Sequence, residues 1–175
     1  KIAGEKGAEI ILKEMIKPSI SKMKIDFDIW FSEKSLYPKK VEEAISFLKK
    51  KKLVYEKDGA IWLNTSQFGD DKDRVIKKED REYTYFMSDI AYLKDKFDRG
   101  YNKLIFFWGA DHHGYIERIK SATEALGYRK EDVDIVIMQL VKLFKNGKEY
   151  RMSKRAGVYV TLDELIDEVG IDIAR

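Results

Sequence analysis

The alternation of apolar and polar positions divides the chain into short helical and extended stretches. Between Gly4 and Met15, apolar Ala8, Ile11, Leu12 and Met15 recur at helical spacing, and Pro18 is predicted to end or kink that helix. Ile25 to Phe31 mixes apolar and acidic residues in near-alternation, which predicts a half-buried strand. Pro38 falls where a first-turn proline belongs, and Val41, Ala44, Ile45 and Leu48 line one face of the helix that follows. Leu53 to Tyr55 and Ala60 to Leu63 flank Asp58-Gly59, a pair that readily adopts positive φ, so a β-hairpin is expected there.

From Tyr83 the pattern changes to β-α-β. Thr84 can cap a helix on which Tyr85, Asp89 and Leu93 fall one turn apart on a single face. Leu104 to Trp108 is a continuous apolar run closed by Gly109, as expected of a strand buried on both faces. Ile116, Ile119, Thr123 and Leu126 then repeat at helical spacing, and Val133 to Val141 supplies another apolar strand. That order predicts an α/β fold with parallel strands joined by a right-handed helical crossover. Ligands of such sheets sit at the carboxyl ends of the strands, where the turn Gly109 to Gly114 falls. Asn146-Gly147 predicts a second hairpin, with Arg151 to Arg155 as a loop after its return strand. Thr161 to Glu164 reads as a capping box for a helix that Gly170 can stop, and Ile171 to Arg175 as the opening of a further element. Both ends are expected to be interior to a longer chain.

Composition narrows what these elements can do. The 175 residues suffice for one ordinary domain, and 44% apolar residues, with nine Phe, ten Tyr and three Trp, exclude a disordered chain. Cysteine is absent, which excludes disulfides and thiolate metal sites and is compatible with the cytoplasm. No apolar run approaches the roughly 20 residues of a membrane span, and no signal-peptide pattern opens the chain. Net charge is only +3 although 37% of residues are charged, so any nucleic-acid footprint must be local. Lys49 to Lys52 is the one run of that kind, and a solvated helix end is its plainer reading. Gly69 to Arg74 holds three carboxylates but lacks calcium-loop spacing, so a solvated loop is favoured over a metal site.

Three groups of residues could carry chemistry. His112 and His113 are adjacent at a predicted helix N-terminus, which favours neutral rings; consecutive helical positions point about 100° apart, which disfavours a zinc pair. Asp111 could cap that helix or accept hydrogen bonds from ribose hydroxyls, and the cap is favoured on spacing alone. Asp89 could hold a guanidinium with Tyr85 offering ring or hydroxyl, whereas the plainer reading, favoured on spacing alone, puts Tyr85 in the core and Asp89 near a helix start. Lys154 lies in a short basic loop suited to a transient negative charge, and such loops are also common as surface features.

The order of these blocks carries a resemblance. Arg151-Met152-Ser153-Lys154-Arg155 resembles the KMSKS signature of class I aminoacyl-tRNA synthetases, with Arg in place of the first Lys. Together with Tyr83 to Tyr92, Phe107 to Tyr115, Phe68 to Val75 and Ile25 to Glu33, the chain is similar to bacterial-type arginyl-tRNA synthetases over essentially its whole length. The resemblance implies ATP-dependent formation of arginyl-adenylate and transfer of arginine to tRNA(Arg), with Mg²⁺ accompanying ATP, no protein-bound metal, and a cytoplasmic, monomeric parent enzyme that needs its tRNA for activation. It implies catalytic roles for Lys154, Ser153 and Arg151, an arginine site of Tyr85, Asp89 and His113, and an ATP site of Gly109, Asp111, His112, Met152 and Lys154.

The fold implied is a partial Rossmann-like (HUP-type) parallel sheet with a hairpin-containing insertion, the first half of the nucleotide fold being truncated. Residues 1–35 would end that first half, 36–82 form the connective insertion, 83–158 the second half with its signature loop, and 159–175 begin a helical region. The family's upstream His-x-Gly-His signature is not found, since the only histidines are His112 and His113. The chain alone is therefore expected to be inactive. Rival readings are another class I synthetase or related nucleotidyltransferase, and a tRNA-binding or regulatory paralogue that has lost catalysis.

Overall fold

Pro18 does not end the N-terminal helix. In the computed structural model, which describes residues 2–145, 147–150 and 159–175, α1 (Ile2–Ile10) passes into a π-helical stretch, Ile11–Ile16, and continues as α2 (Lys17–Lys22) with Pro18 in its first turn. Proline lacks one helical N–H and its ring crowds the carbonyl four residues back; the wider turns immediately before it accommodate both defects. Residues 25–31, expected as a strand, form no ladder. Alternation makes a segment amphipathic, but a strand also needs a hydrogen-bonding neighbour, and none lies beside this one among the described residues. Phe27 instead meets Trp30 edge to face at 5.1 Å, with the Lys17 ammonium 4.9 Å from the Trp30 ring.

The chain divides into two units, Lys1–Trp30 with Val141–Arg175, and Phe31–Leu140. The second unit carries the main core. α3 (Lys39–Lys50) follows Pro38 and buries Val41, Ala44, Ile45 and Leu48, as its pattern predicts, and Lys49 to Lys52 are exposed at its end. β1 (Val54–Lys57) and β2 (Ala60–Leu63) form the expected hairpin, with φ of 51° at Asp58 and 71° at Gly59, the turn geometry that matches strand twist. β3 (Arg74–Lys77) adds a third antiparallel strand on β2, with a register shift at Ile61/Trp62.

The stretch before β3 is not the solvated loop its charges predict. Arg74 Nε and Nη2 donate to Asp70 Oδ2 and Oδ1 at 2.8 and 2.7 Å, and the Asp70 side chain is only 3% exposed. Ser66 and Tyr55 hydroxyls donate to Asp73. Asp70, Asp73 and Arg74, charges that look like solvent-facing polarity in one dimension, thus form a local lock that begins β3.

α4 (Tyr85–Asp98) starts at Thr84, whose hydroxyl accepts from the Met87 amide at 3.4 Å and donates to the Val75 carbonyl at 2.9 Å, tying the helix start to β3. β4 (Leu104–Gly109), α5 (Ile116–Ala125) and β5 (Val133–Met138) complete the expected unit, with β4 and β5 parallel in register from Leu104↔Val133 to Gly109↔Met138. β4 is covered on one face only: Leu104 is buried, whereas Ile105 and Phe107 are 56% and 67% exposed. The fold is thus mixed α/β, with a parallel pair and an antiparallel three-stranded sheet.

In the first unit, β6 (Phe144–Lys145) pairs antiparallel with β7 (Lys148–Glu149). α6 (Leu162–Val169) opens on the reciprocal box foreseen: the Glu164 amide donates to Thr161 Oγ1 at 3.1 Å, and the Thr161 amide to Glu164 Oε2 at 2.7 Å. Gly170, at φ 79°, ends it before α7 (Ile171–Ala174), and Lys22 pairs with Asp163 at 2.6 Å, joining α2 to α6. No described helix is long and apolar enough to cross a membrane.

Burial alone would push the Asp70 carboxyl up, but hydrogen bonds with Arg74, Asp71 and Thr65 and the Arg74 charge hold it at about 2. Its folded-state value lies below the unfolded one, so this stabilisation is present above about pH 4 and is lost as pH falls through the folded value. Asp70→Asn is expected to lower urea-unfolding stability at pH 7, with the deficit against the unaltered chain shrinking between pH 4 and 2.

Candidate functional site

Burial of Phe86, Met87, Ile90 and Leu93 fixes the rotation of α4 and leaves Asp89 at the edge of its buried face. The Tyr115 hydroxyl, at the end of the turn that follows β4, donates to Asp89 Oδ2 at 2.7 Å. Among the described residues no side chain donates to the other oxygen, and each carboxylate oxygen can accept more than one hydrogen bond. Asp89 opens on a cleft of about 260 Å³ whose other walls include Tyr92, Lys96, Phe106, Trp108 and Ile119.

Burial pushes the Asp89 carboxyl above its ordinary value; the Tyr115 hydrogen bond opposes that, nearby Glu33 adds to it, and Lys96 and Arg118 oppose it from a distance. Burial, reinforced by Asp89, pushes the Tyr115 phenol strongly up. The proton therefore stays on the phenol, and Tyr115 acts as a fixed donor that orients the carboxylate.

Tyr85 lies one turn before Asp89 but on a different cleft. It is 88% exposed, against the alternative that placed it in the core, and faces a surface hollow with Arg74, Thr84, Phe86, Tyr115 and Arg118. Tyr115 links the two places: it lines the hollow of Tyr85 and bonds Asp89. The Arg118 guanidinium lies 4.5 Å from the Tyr115 ring, and its Nε has no hydrogen-bond partner among the described residues.

Gly109 ends β4, and a 3₁₀ turn, Ala110–Tyr115, carries the histidines. Asp111 does not make the cap its position predicts: neither this turn nor α5 has a side-chain cap, and Asp111 Oδ1 instead meets His112 Nδ1 at 3.1 Å. Partnership with His112 holds the Asp111 carboxyl below its ordinary value. The His112 ring is 6.1 Å from Trp108, so one wall of the Asp89 cleft also borders the histidine turn. His113 is exposed on the same turn. Gly109 makes room for the pair, since a Cβ there would lie 2.6 Å from Asp111 Oδ1.

Asp89, Trp108, Gly109, Asp111 and His112 are thus gathered around the carboxyl end of β4. Arg151, Met152, Ser153 and Lys154 lie outside the described residues. Tyr115, which bonds Asp89, and Lys96 and Arg118, whose charges act on it from a distance, are residues that the sequence pattern did not single out. Lys96 had a signal, seven residues beyond Asp89 on the same helix face; Tyr115 and Arg118 approach from other elements, and no local spacing announces them.

Comparison with known proteins bears on this geometry. Residues 6–175 match the family described as tRNA synthetases class I (R), catalytic domain. The chain is 57% identical over 170 residues to an arginine–tRNA ligase of Aquifex aeolicus, covering 97% of this chain and 29% of the relative. It is 53% identical over 163 residues to that of Bacillus subtilis, covering 93% and 29%. A crystal structure described as an arginyl-tRNA synthetase from Campylobacter jejuni superposes with a TM-score of 0.84 at 44% identity, over 91% of this chain and 35% of that one. The chain spans about 29% of the length of these curated relatives.

Because Asp111 occupies the space a side chain at position 109 would need, Gly109→Ala is expected to displace it from His112. Carboxyl NMR should show the Asp111 titration moving up towards the ordinary carboxylate range, with little change in melting temperature because the pair is exposed.

Proposed function

The chain belongs to the class I tRNA synthetase (R) catalytic-domain family, and from that premise we propose that it supplies the arginine-recognition and phosphate-compensating parts of an arginine–tRNA ligase. The observation that carries the reading is Asp89: a half-buried carboxylate, oriented by Tyr115, opening on a cleft with aromatic walls. A planar guanidinium satisfies such a carboxylate through two parallel hydrogen bonds, and its weak hydration lowers the cost of entering a half-dry cleft. A lysine ammonium is a point donor that leaves one oxygen underused, so the same site discriminates against it. Tyr85, on the neighbouring hollow that Tyr115 also lines, and the exposed His113 are proposed as further arginine contacts.

The chemistry proposed is attack of the arginine carboxylate on the α-phosphate of ATP, with pyrophosphate leaving and tRNA(Arg) later accepting the arginyl group. Gly109, Asp111, His112 and Met152 are assigned to ATP, whose Mg²⁺ enters with the nucleotide. Lys154, steadied by Ser153 and Arg151, is assigned to the charge that builds on the departing diphosphate. A placed donor for such charge is typically worth about 3 kcal/mol in the transition state, about two decades in rate.

In this reading residues 83–158 form the second half of a Rossmann-like catalytic domain, 36–82 its connective insertion, 1–35 the end of its first half, and 159–175 the start of a helical region. The chain contains no His-x-Gly-His sequence to grip the ATP phosphates, so activation is expected from a longer polypeptide that carries it and not from these 175 residues alone.

The test is arginine-dependent ATP–pyrophosphate exchange, with tRNA present, on that longer polypeptide and on this chain side by side. Exchange that is indifferent to arginine in both would sink the reading and favour a tRNA-binding or regulatory role. Within the longer polypeptide, Asp89→Asn should reduce kcat/KM for arginine by roughly 100-fold, because a charge-assisted fork is replaced by a neutral amide with one acceptor. Lys154→Ala should depress kcat for exchange by about two decades with a much smaller change in ATP binding, the split expected when an interaction forms mainly in the transition state.

A further inference from the structure

Lys96 is a cation in an unusual place. It lines the same cleft as Asp89, two helical turns along the same face of α4, and its Nζ lies 4.1 Å from the Tyr92 ring centroid and 4.2 Å from that of Phe106. Nearby Asp95 is taken by Lys40 and Arg99. Among the described residues Lys96 makes no ion pair, although half-buried charges are ordinarily paired because burial costs them their hydration. Two ring faces offset part of that cost and restrain the ammonium.

We propose that Lys96 is a positioning residue for the Asp89 subsite: held between Tyr92 and Phe106, its ammonium keeps Asp89 an anion in a half-dry cleft without occupying the oxygens that an incoming guanidinium needs. This rests on the reading of Asp89 as the guanidinium acceptor. A methionine or leucine could fill the slot between the rings equally well by shape, so what Lys96 adds there is charge. A lysine that reached Asp89 and paired with it would block the subsite; two turns of helix and two rings hold this one back.

The groups that face Asp89 come from four elements. Tyr115 donates to it, Arg118 of α5 and Lys96 of α4 favour its anion, and Glu33, in the 3₁₀ turn before α3, opposes it. Lys96 in turn is brought down to about 8 by burial first and by Arg99 second, while Asp89 and Asp95 resist the change. Its charge is therefore present at neutral pH and fades above about pH 8.

The experiment follows the Asp89 side-chain carboxyl by ¹³C NMR titration in the unaltered chain, K96Q, K96M and K96R. Lys96→Gln and Lys96→Met should each raise the Asp89 midpoint by about one pH unit, the lower end of what a nearby opposite charge produces, and Lys96→Arg should restore it. K96M keeps the apolar packing between the rings, so it separates charge from shape. Midpoints that stay within experimental scatter in both folded neutral variants overturn the proposal, whatever happens to stability.

The arginine arm separates this failure from failure of the parent reading. In the longer polypeptide, the acid limb of L-arginine affinity should move up with the Asp89 midpoint in K96Q. If Asp89→Asn abolishes arginine binding while K96Q leaves both midpoint and limb in place, the subsite stands and the role of Lys96 falls. If K96Q moves the midpoint but Asp89→Asn leaves arginine binding intact, the charge effect of Lys96 stands and the guanidinium assignment falls.

Discussion

One hydrogen bond, from Tyr115 to Asp89, joins the two halves of the candidate site. It spans from the turn after β4 to the middle of α4, and it is where the parallel pair, the histidine turn and the helix meet. A carboxylate brought this far from water tends to take up a proton and lose its attraction for cations. Tyr115 counters that tendency at contact range and fixes the direction in which the remaining lone pairs point. Without that donor Asp89 would be a partly buried acid of uncertain aim; with it, Asp89 is an oriented acceptor beside an aromatic cleft.

The scaffold beneath that bond is built to hold α4 still. The Thr84 hydroxyl ties the helix start to β3, and the Asp70–Arg74 fork locks the entry to β3. Farther along the helix, Phe97 stacks on Tyr128 at 3.8 Å and Phe31 on Tyr92 at 4.2 Å. A chain of short, directional contacts thus runs from the antiparallel sheet to the carboxylate. A small rotation of α4 would carry Asp89 away from Tyr115 and Lys96 out from between its rings, so the precision of the site depends on packing that no functional residue itself supplies.

Much of the secondary structure was legible because its causes are local. The Asp58-Gly59 turn, the Thr161–Glu164 box, the Thr84 cap and the buried stripe of α3 each follow from a few adjacent residues. The misreadings share the opposite property. Residues 25–31 have a strand's alternation but, among the described residues, no neighbour to pair with; Pro18, expected to end or kink its helix, does not end it because the preceding turns widen into π geometry; Asp70 to Arg74 reads as surface polarity until the fork closes. β4 looks buried on both faces because five apolar residues in a row carry no record of which side is covered.

By itself the sequence determined the family and many of the elements from α3 onward, and it raised Asp89 and the histidine turn as candidates, since motifs and periodicity are properties of adjacent residues. Only the tertiary structure decided that Tyr85 and Asp89, one helical turn apart, face different clefts, that Asp111 pairs with His112 instead of capping a helix, and that Tyr115 bonds the carboxylate while the charges of Arg118 and Lys96 act on it from farther off. The physical reason is that direction and charge environment come from side chains contributed by separate elements, whose meeting depends on how α4, α5 and β4 pack and on nothing written along any one of them.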